Sequence, residues 1–105
     1  MGLQIDLPSA GLLGVSGATG GVISSDTNAV QNGIYILQFP GVVDLTLPAT
    51  MDAGGTVLVK NLGSGTLRVV SSTSIDGFSG VPVVISQNQS ARFVYVSASF
   101  GYLKA

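Results

Sequence analysis

The sequence contains no histidine, cysteine, tryptophan or glutamate, and it has few charges of either sign. Lys and Arg together number four, and the acidic residues number five, in a chain of 105 residues. Without His and Cys, neither a Ser–His–Asp nor a Cys–His catalytic site can be built. A zinc site with His and Cys ligands is excluded for the same reason, and no disulfide framework is available.

The five aspartates are the main remaining candidates for acid–base chemistry, and they are spread along the chain. None lies in a calcium loop of EF-hand spacing. A glycan-cleaving or aspartyl enzyme would need two of them to converge in one cleft. We therefore predict a protein that is not an enzyme, with no catalytic residue, no metal and no cofactor. The aspartates are Asp6, Asp26, Asp44, Asp52 and Asp76.

The charge balance and the apolar runs also limit the partners. A net charge of −1 gives no reason to expect nucleic acid or an anionic membrane surface. No apolar run approaches the roughly 20 residues that cross a bilayer. The first residues, MGLQIDLPSAGLLG, lack a basic region and include Asp6, so we expect no secretory signal.

Apolar residues are abundant where charge is scarce. They make up 46% of the chain, whereas charged residues make up 9%, against about 25% in an ordinary soluble domain. Such a surface does little to keep copies apart. We expect much of it to be covered by other copies or by a larger assembly. The alternative is a monomer with a Ser/Thr/Asn/Gln surface.

Short β-type segments follow one another from residue 34 onward, and no window shows helical periodicity. The pattern predicts one all-β domain over residues 33–105, an antiparallel β-sandwich of jelly-roll type. A Gly-rich link at 62–65 predicts a hairpin between two of the strands. The predicted strands are 34–39, 42–47, 56–61, 66–70, 81–85, 90–97 and 100–104.

Some of these strands are apolar on both faces, notably 34–39 and 90–97. One sheet-on-sheet core covers one face of each strand. The second face therefore needs another cover, and contact between subunits is the simplest one.

Residues 1–32 differ from the rest in being rich in Gly, Ser and Ala with scattered aliphatic side chains. These are too apolar for a free linker. We predict an N-terminal arm, or edge strands, that packs on a neighbouring subunit. The candidate contacts with a neighbouring subunit are Leu3, Ile5, Leu12, Leu13, Val15, Val22 and Ile23.

The dipeptide Asp76-Gly77 is a sequence typical of a tight turn and contains an acidic residue. Asp bonds nearby backbone N–H groups and Gly tolerates a positive φ. We therefore interpret Asp76 as the corner of a turn between strands and not as a catalytic carboxylate.

An ordered series of short motifs resembles the small β modules of tailed-phage virion proteins, namely head decoration proteins, head fibres and tail fibres. The series spans about residues 42–103, and Phe100 and Tyr102 stand where the family usually has Trp. The motifs are TLPA at 46–49, AGGTVLVKN at 53–61, GSGTLRV at 63–69, IDG at 75–77 and QSARFVYV at 89–96.

The resemblance implies a structural protein of the virion, without enzymatic activity, in a symmetric assembly, with a homotrimer favoured. It also makes the capsid a candidate partner for the apolar residues of the arm. Because 105 residues leave little room for a fibre shaft, we expect a capsid decoration, or cement, protein on the capsid exterior. Its partners would be the major capsid protein and other copies of itself, after synthesis in the host cytoplasm. The alternatives are a tail- or head-fibre module that binds host glycan, and a non-viral self-assembling β protein.

Overall fold

The computed structural model describes residues 20–105, and in this range the chain forms eleven strands and no helix. The strands are β1 (Gly20–Ile23), β2 (Thr27–Asn28), β3 (Ile34–Leu37), β4 (Val42–Thr46), β5 (Thr56–Asn61), β6 (Thr66–Val70), β7 (Ser74–Ile75), β8 (Phe78–Ser79), β9 (Val83–Ile85), β10 (Ser90–Ser97) and β11 (Gly101–Lys104).

The strands form two sheets. The first sheet has seven strands in the order β1-β3-β5-β10-β11-β7-β8, and the second has four in the order β2-β4-β6-β9. From β1 to β6 the chain alternates between the sheets, so that successive strands never pair and every second strand does. The neighbours in this part are all parallel.

This alternation winds the chain into three stacked turns of a flattened coil. Between the second and third turns each residue lies beside the one 24 positions later, as Ile34 beside Leu58 and Val42 beside Thr66 show. The strands β9, β10 and β11 then close the stack with antiparallel pairs. The second and third turns thus share one register on both sheets.

The core lies between the two sheets and follows from the alternation of side chains along each strand. In β3, β5 and β10 every second residue is buried, and the residues between them face outward. The buried apolar side chains are Ala29, Tyr35, Leu37, Val43, Leu45, Leu47, Val57, Val59, Leu67, Val69, Ile75, Ile85, Ala91, Phe93, Tyr95 and Tyr102.

The predicted all-β domain with two packed sheets is confirmed for the described residues. The predicted antiparallel order is wrong for five of the nine strand pairs, which are parallel. A jelly roll is built from antiparallel Greek keys, so this coil does not have jelly-roll pairing. Local apolar patterns identify strands but do not reveal which strands pair.

The predicted hairpin between 56–61 and 66–70 is also wrong, because β5 and β6 lie in different sheets. The Gly-rich link is the corner where the chain crosses from one sheet to the other. At this corner the backbone packs on the turn before it: a Cβ on Gly65 would overlap the carbonyl oxygen of Gly41. Glycine serves here for close stacking of turns.

The first turn begins before the predicted domain boundary at residue 33. β1 pairs with β3 and β2 pairs with β4 in the same chain, and Ala29 is buried in the core. Residues 20–32 therefore belong to the folded module, with β1 and β2 as its edge strands. The rest of the predicted arm, 1–19, lies outside the described residues.

Candidate functional site

The outer face of the first sheet carries exposed apolar side chains on several neighbouring strands. Its residues alternate with the buried ones, and cross-strand register sets them in rows. One row runs from Ile34 through Leu58 to Arg92, and the next joins Val22, Ile36, Lys60 and Ser90. Beyond the first row, Thr56 lies beside Val94, and Val94 beside Leu103.

Several apolar side chains on this face are open to solvent. Leu58 is 42% exposed, Leu103 44% and Val22 63%, while Ile34 and Ile36 are half-buried. They belong to neighbouring strands of one sheet and form a continuous surface. Contiguous apolar patches of this kind mark contact surfaces more often than isolated exposed residues do.

A groove crosses this face along the first row. It is lined by Asn32, Gly33, Ile34, Thr56, Leu58 and Arg92. Ile34 and Leu58 make its apolar floor, and the guanidinium of Arg92 supplies its charge. In residues 20–105 Arg92 has no salt bridge.

The charge on the outer face of the first sheet is of one sign. Lys60 and Arg92 both project from it, and no strand residue of this face in the described range is acidic. Lys60 donates from Nζ to the carbonyl oxygen of Asn88, at 3.3 Å. A partner for this surface therefore needs apolar side chains and an acidic group.

The outer face of the second sheet has a different character. Arg68 binds Asp44 through two bonds, Nε to Oδ1 at 2.8 Å and Nη2 to Oδ2 at 3.1 Å. Val42 and Val84 are exposed on either side of the pair. The ion pair neutralises Arg68 and Asp44, and the exposed carboxylate of Asp26 lies beside it, at the backbone N–H of Asp44.

Each described aspartate has a structural partner. Asp26 accepts from the backbone N–H of Asp44 at 3.0 Å, and Asp52 accepts from Gln31 Nε2 at 3.2 Å. Asp76 accepts from the N–H of Lys104 at 2.9 Å. Residues 20–105 hold no group of three or more acidic, His or Cys side chains suited to a metal.

The predicted corner at Asp76-Gly77 is a two-residue hairpin turn between β7 and β8. Both residues have positive φ, 54° for Asp76 and 85° for Gly77, as a type I′ turn requires. The backbone N–H of Asp76 also donates to Tyr102 O at 2.8 Å. Asp76 thus joins the hairpin to β11, a structural role.

Two of the candidate contacts of the arm, Val22 and Ile23, lie in the described residues, and they face opposite sides of the sheet. Val22 faces outward on the edge strand β1, whereas Ile23 faces inward and packs against the core. The other candidates, Leu3, Ile5, Leu12, Leu13 and Val15, lie outside the described residues. Sequence alone did not identify the groove, because its residues come from three strands whose pairing is set by the coil.

The aromatic side chains mainly fill the core. Tyr102 is fully buried and meets Tyr95 edge to face, with ring centroids 5.3 Å apart. Its hydroxyl donates to the carbonyl oxygen of Pro48 at 2.6 Å. Burial, with a smaller contribution from Tyr95, raises the pKa of Tyr102 to about 12. Phe78, in contrast, is 68% exposed.

Comparison with protein-family models and curated proteins identified no relative of this chain. No protein-family model matches the chain, and no curated protein matches it either. Residues 20–105 include no helix that is long and apolar enough to cross a membrane. The chemistry of the described surfaces is therefore the basis for a function.

Proposed function

We propose that this chain is a structural protein of a tailed-phage virion, a decoration protein that binds the outer capsid surface and stabilises neighbouring major capsid proteins. The observation that carries the proposal is the outer face of the first sheet, where apolar side chains from neighbouring strands lie exposed on a rigid module. A decoration protein needs such a surface, because it binds a lattice by contact and performs no chemistry.

The motifs that resemble virion modules support this proposal through the roles they have in the fold. The 53–61 motif supplies β5, which lies between β3 and β10 in the first sheet, and the 63–69 motif supplies the glycine corner and β6. The 75–77 motif supplies the hairpin turn. Each is a structural element, as expected of a module whose work is assembly.

The partnered aspartates support a role without catalysis. Each described carboxylate bonds a backbone N–H, an amide or an arginine. The hydrogen bonds of the four described carboxylates are accounted for by the fold itself.

The test is binding to expanded capsids that lack the protein, taken from the phage that encodes it. We expect the purified protein to co-sediment with them saturably, at a fixed ratio to the major capsid protein. Leu58→Glu should weaken binding at least tenfold, because it places a charge on the apolar face. Val84→Glu, on the outer face of the second sheet, is the matched control and should bind as wild type does.

Failure of the wild-type protein to bind would overturn the proposal. Equal binding by both variants would show that the first sheet is not the contact surface.

A fibre module is the second candidate, and one observation favours it. Within residues 20–105, β1 and β2 are the edge strands at one end of the stack, and stacked turns can continue from such parallel edges. A fibre module would bind host glycan, so specific signals on a glycan array, with no capsid binding, would select this function.

A further inference from the structure

The end of the molecule at β8 is apolar and uncharged. Phe78 on β8 is 68% exposed, and Val81, in the link from β8 to β9, is 57% exposed. We propose that this end binds a second copy of the chain. The two β8 strands pair in antiparallel register about a two-fold axis, with Ser79 opposite Ser79, and each Phe78 packs against the other copy.

The first argument is the unequal size of the two sheets. The first sheet has seven strands and the second has four, and β1 and β2 of the same turn stand at one common end. The surplus strands of the first sheet, β11, β7 and β8, therefore lie at the opposite end. Ile75 and Phe78 are direct partners on β7 and β8, so their side chains share a face. Ile75 is buried whereas Phe78 is exposed, so the cover of the core-facing side runs out at β8.

The second argument is the open hydrogen-bonding edge of β8. The backbone N–H of Asp76 points to β11, where it donates to the carbonyl oxygen of Tyr102. Because backbone groups alternate in direction along a strand, those of Ile75 point to Phe78, its partner beside the hairpin turn. The N–H and C=O of Ser79 therefore point away from β7. An edge of this kind pairs readily with another strand, and Ser79 of a second copy offers a partner for both groups.

The third argument is charge, and it selects a second copy as the occupant. A two-fold contact brings each residue near its own counterpart, so charged side chains within it repel one another. Residues 77–91 contain no charged side chain, whereas the outer face of the first sheet carries Lys60 and Arg92. The end at β8 therefore suits contact with itself, and the outer face does not.

The nearest charge in the sequence, that of Asp76, is kept away from its counterpart by the antiparallel arrangement. Asp76 lies three residues before Ser79, so pairing at Ser79 sets the two carboxylates about 20 Å apart on opposite sides of the axis. The Debye length is about 10 Å in 0.1 M salt. The two charges are thus screened from each other and do not oppose the contact.

Edge pairing leaves the outer faces of the two first sheets free and on the same side of the dimer. Residues directly opposite in an antiparallel pair project to the same side, and diagonal aromatic side chains such as the two Phe78 rings are within reach of each other. The dimer thus presents two apolar faces in one direction, and two contacts on one lattice bind more tightly than one. The self-association stands whether or not the capsid proposal does.

The test is the molar mass of the full chain in solution, measured by sedimentation from low to high micromolar concentration. We expect dimers that dissociate on dilution. Phe78→Asp should raise the dimer dissociation constant tenfold or more, because it places two like charges beside the axis. The matched control is Val42→Asp, at a site that is 62% exposed on the outer face of the second sheet, and it should dimerise as wild type does.

The two-fold axis is tested by mixing variants of opposite charge. Phe78→Asp and Phe78→Lys should each be largely monomeric alone, because position 78 lies near position 78 of the other copy. An equimolar mixture should form heterodimers, since unlike charges then meet beside the axis. Circular dichroism checks that each variant is folded, and the exposure of Phe78 means that its replacement leaves the core intact.

The register is tested by disulfide formation, because the chain has no native cysteine. Residues in a hydrogen-bonded antiparallel pair have Cα atoms about 5.5 Å apart, which a disulfide spans. Ser79→Cys should therefore give a disulfide-linked dimer on mild oxidation. Ser64→Cys, exposed at the corner between the sheets, is the matched control and should cross-link at least fivefold less.

Three results would overturn the inference. A wild-type chain that stays monomeric at high micromolar concentration would show that the end at β8 does not bind a second copy. Dimers that Phe78→Asp leaves unchanged would show that the contact lies elsewhere. A trimer as the main species would contradict the two-fold pairing.

Discussion

At the scale of single residues, Asn61 is the one fully buried polar side chain of the described fold. Its Nδ2 donates to the carbonyl oxygens of Gly65 and Ile85, both at 2.9 Å, and its Oδ1 accepts from the N–H of Gly63 at 2.9 Å. One amide thus satisfies three backbone groups at the corner between the sheets. The backbone of Asn61 pairs with residues 88 and 89 as well.

Replacement of Asn61 by Ala should be among the most destabilising changes in the chain. It removes the amide donor from the carbonyl oxygens of Gly65 and Ile85, whereas the N–H of Gly63 keeps its bond to the carbonyl oxygen of Leu37. Each buried group left unsatisfied costs about 1–3 kcal/mol. We expect the free energy of unfolding to fall by about 3 kcal/mol or more, measured by urea denaturation.

The exposed Gln87→Ala, in the neighbouring turn, is the control for Asn61→Ala and should change stability by less than about 0.5 kcal/mol. Similar losses for the two variants would contradict the structural role given to Asn61. The sequence pattern places Asn61 at the end of a strand, and no neighbouring residue distinguishes it from an exposed asparagine.

At the scale of elements, the positions of the strands were largely predictable and their pairing was not. The predicted bounds 56–61, 66–70 and 90–97 coincide with β5, β6 and β10. The short strands β2, β7 and β8 were missed, because two residues are too few for a periodic signal.

The parallel coil could not be predicted from the sequence, because successive turns share a burial pattern but not the same residues. Positions 24 apart share the burial pattern, as Leu45 and Val69 do, but their chemistry differs, as in Asp44 and Arg68. Gly41 and Gly65 match because the turns meet there at close range. The same reasoning explains the groove: its residues lie far apart in sequence and meet through the register.

The glycine corner gives a test of the stacking. Gly65→Ala would place a methyl group against the carbonyl oxygens of Gly41 and Phe39, so the turns must move apart. Overpacking of this kind costs about 1–3 kcal/mol, and we expect the melting temperature to fall accordingly.

Ser64 lies beside Gly65 in the same corner and is exposed. Ser64→Ala is therefore the matched control for the glycine variant, and it should leave the melting temperature within about two degrees of wild type. An unchanged melting temperature in Gly65→Ala would mean that the turns are not held as closely as described.

At the scale of the whole molecule, scarcity of charge and the apolar face of the first sheet point to assembly. The composition alone predicted that apolar surface would be left over, and the fold locates it on strands β3, β5, β10 and β11. Composition did not identify what covers that surface. The answer proposed for the virion is the capsid.

The most direct test of the proposed role is the temperature at which expanded, DNA-filled capsids lacking this protein release their DNA, measured with a fluorescent DNA dye. A decoration protein that bridges capsid subunits stabilises the particle by binding the assembled state. We predict that saturation with the purified protein raises the release temperature by several degrees, and that Leu58→Glu at the same concentration raises it less. An unchanged release temperature on fully occupied capsids would contradict the proposed function.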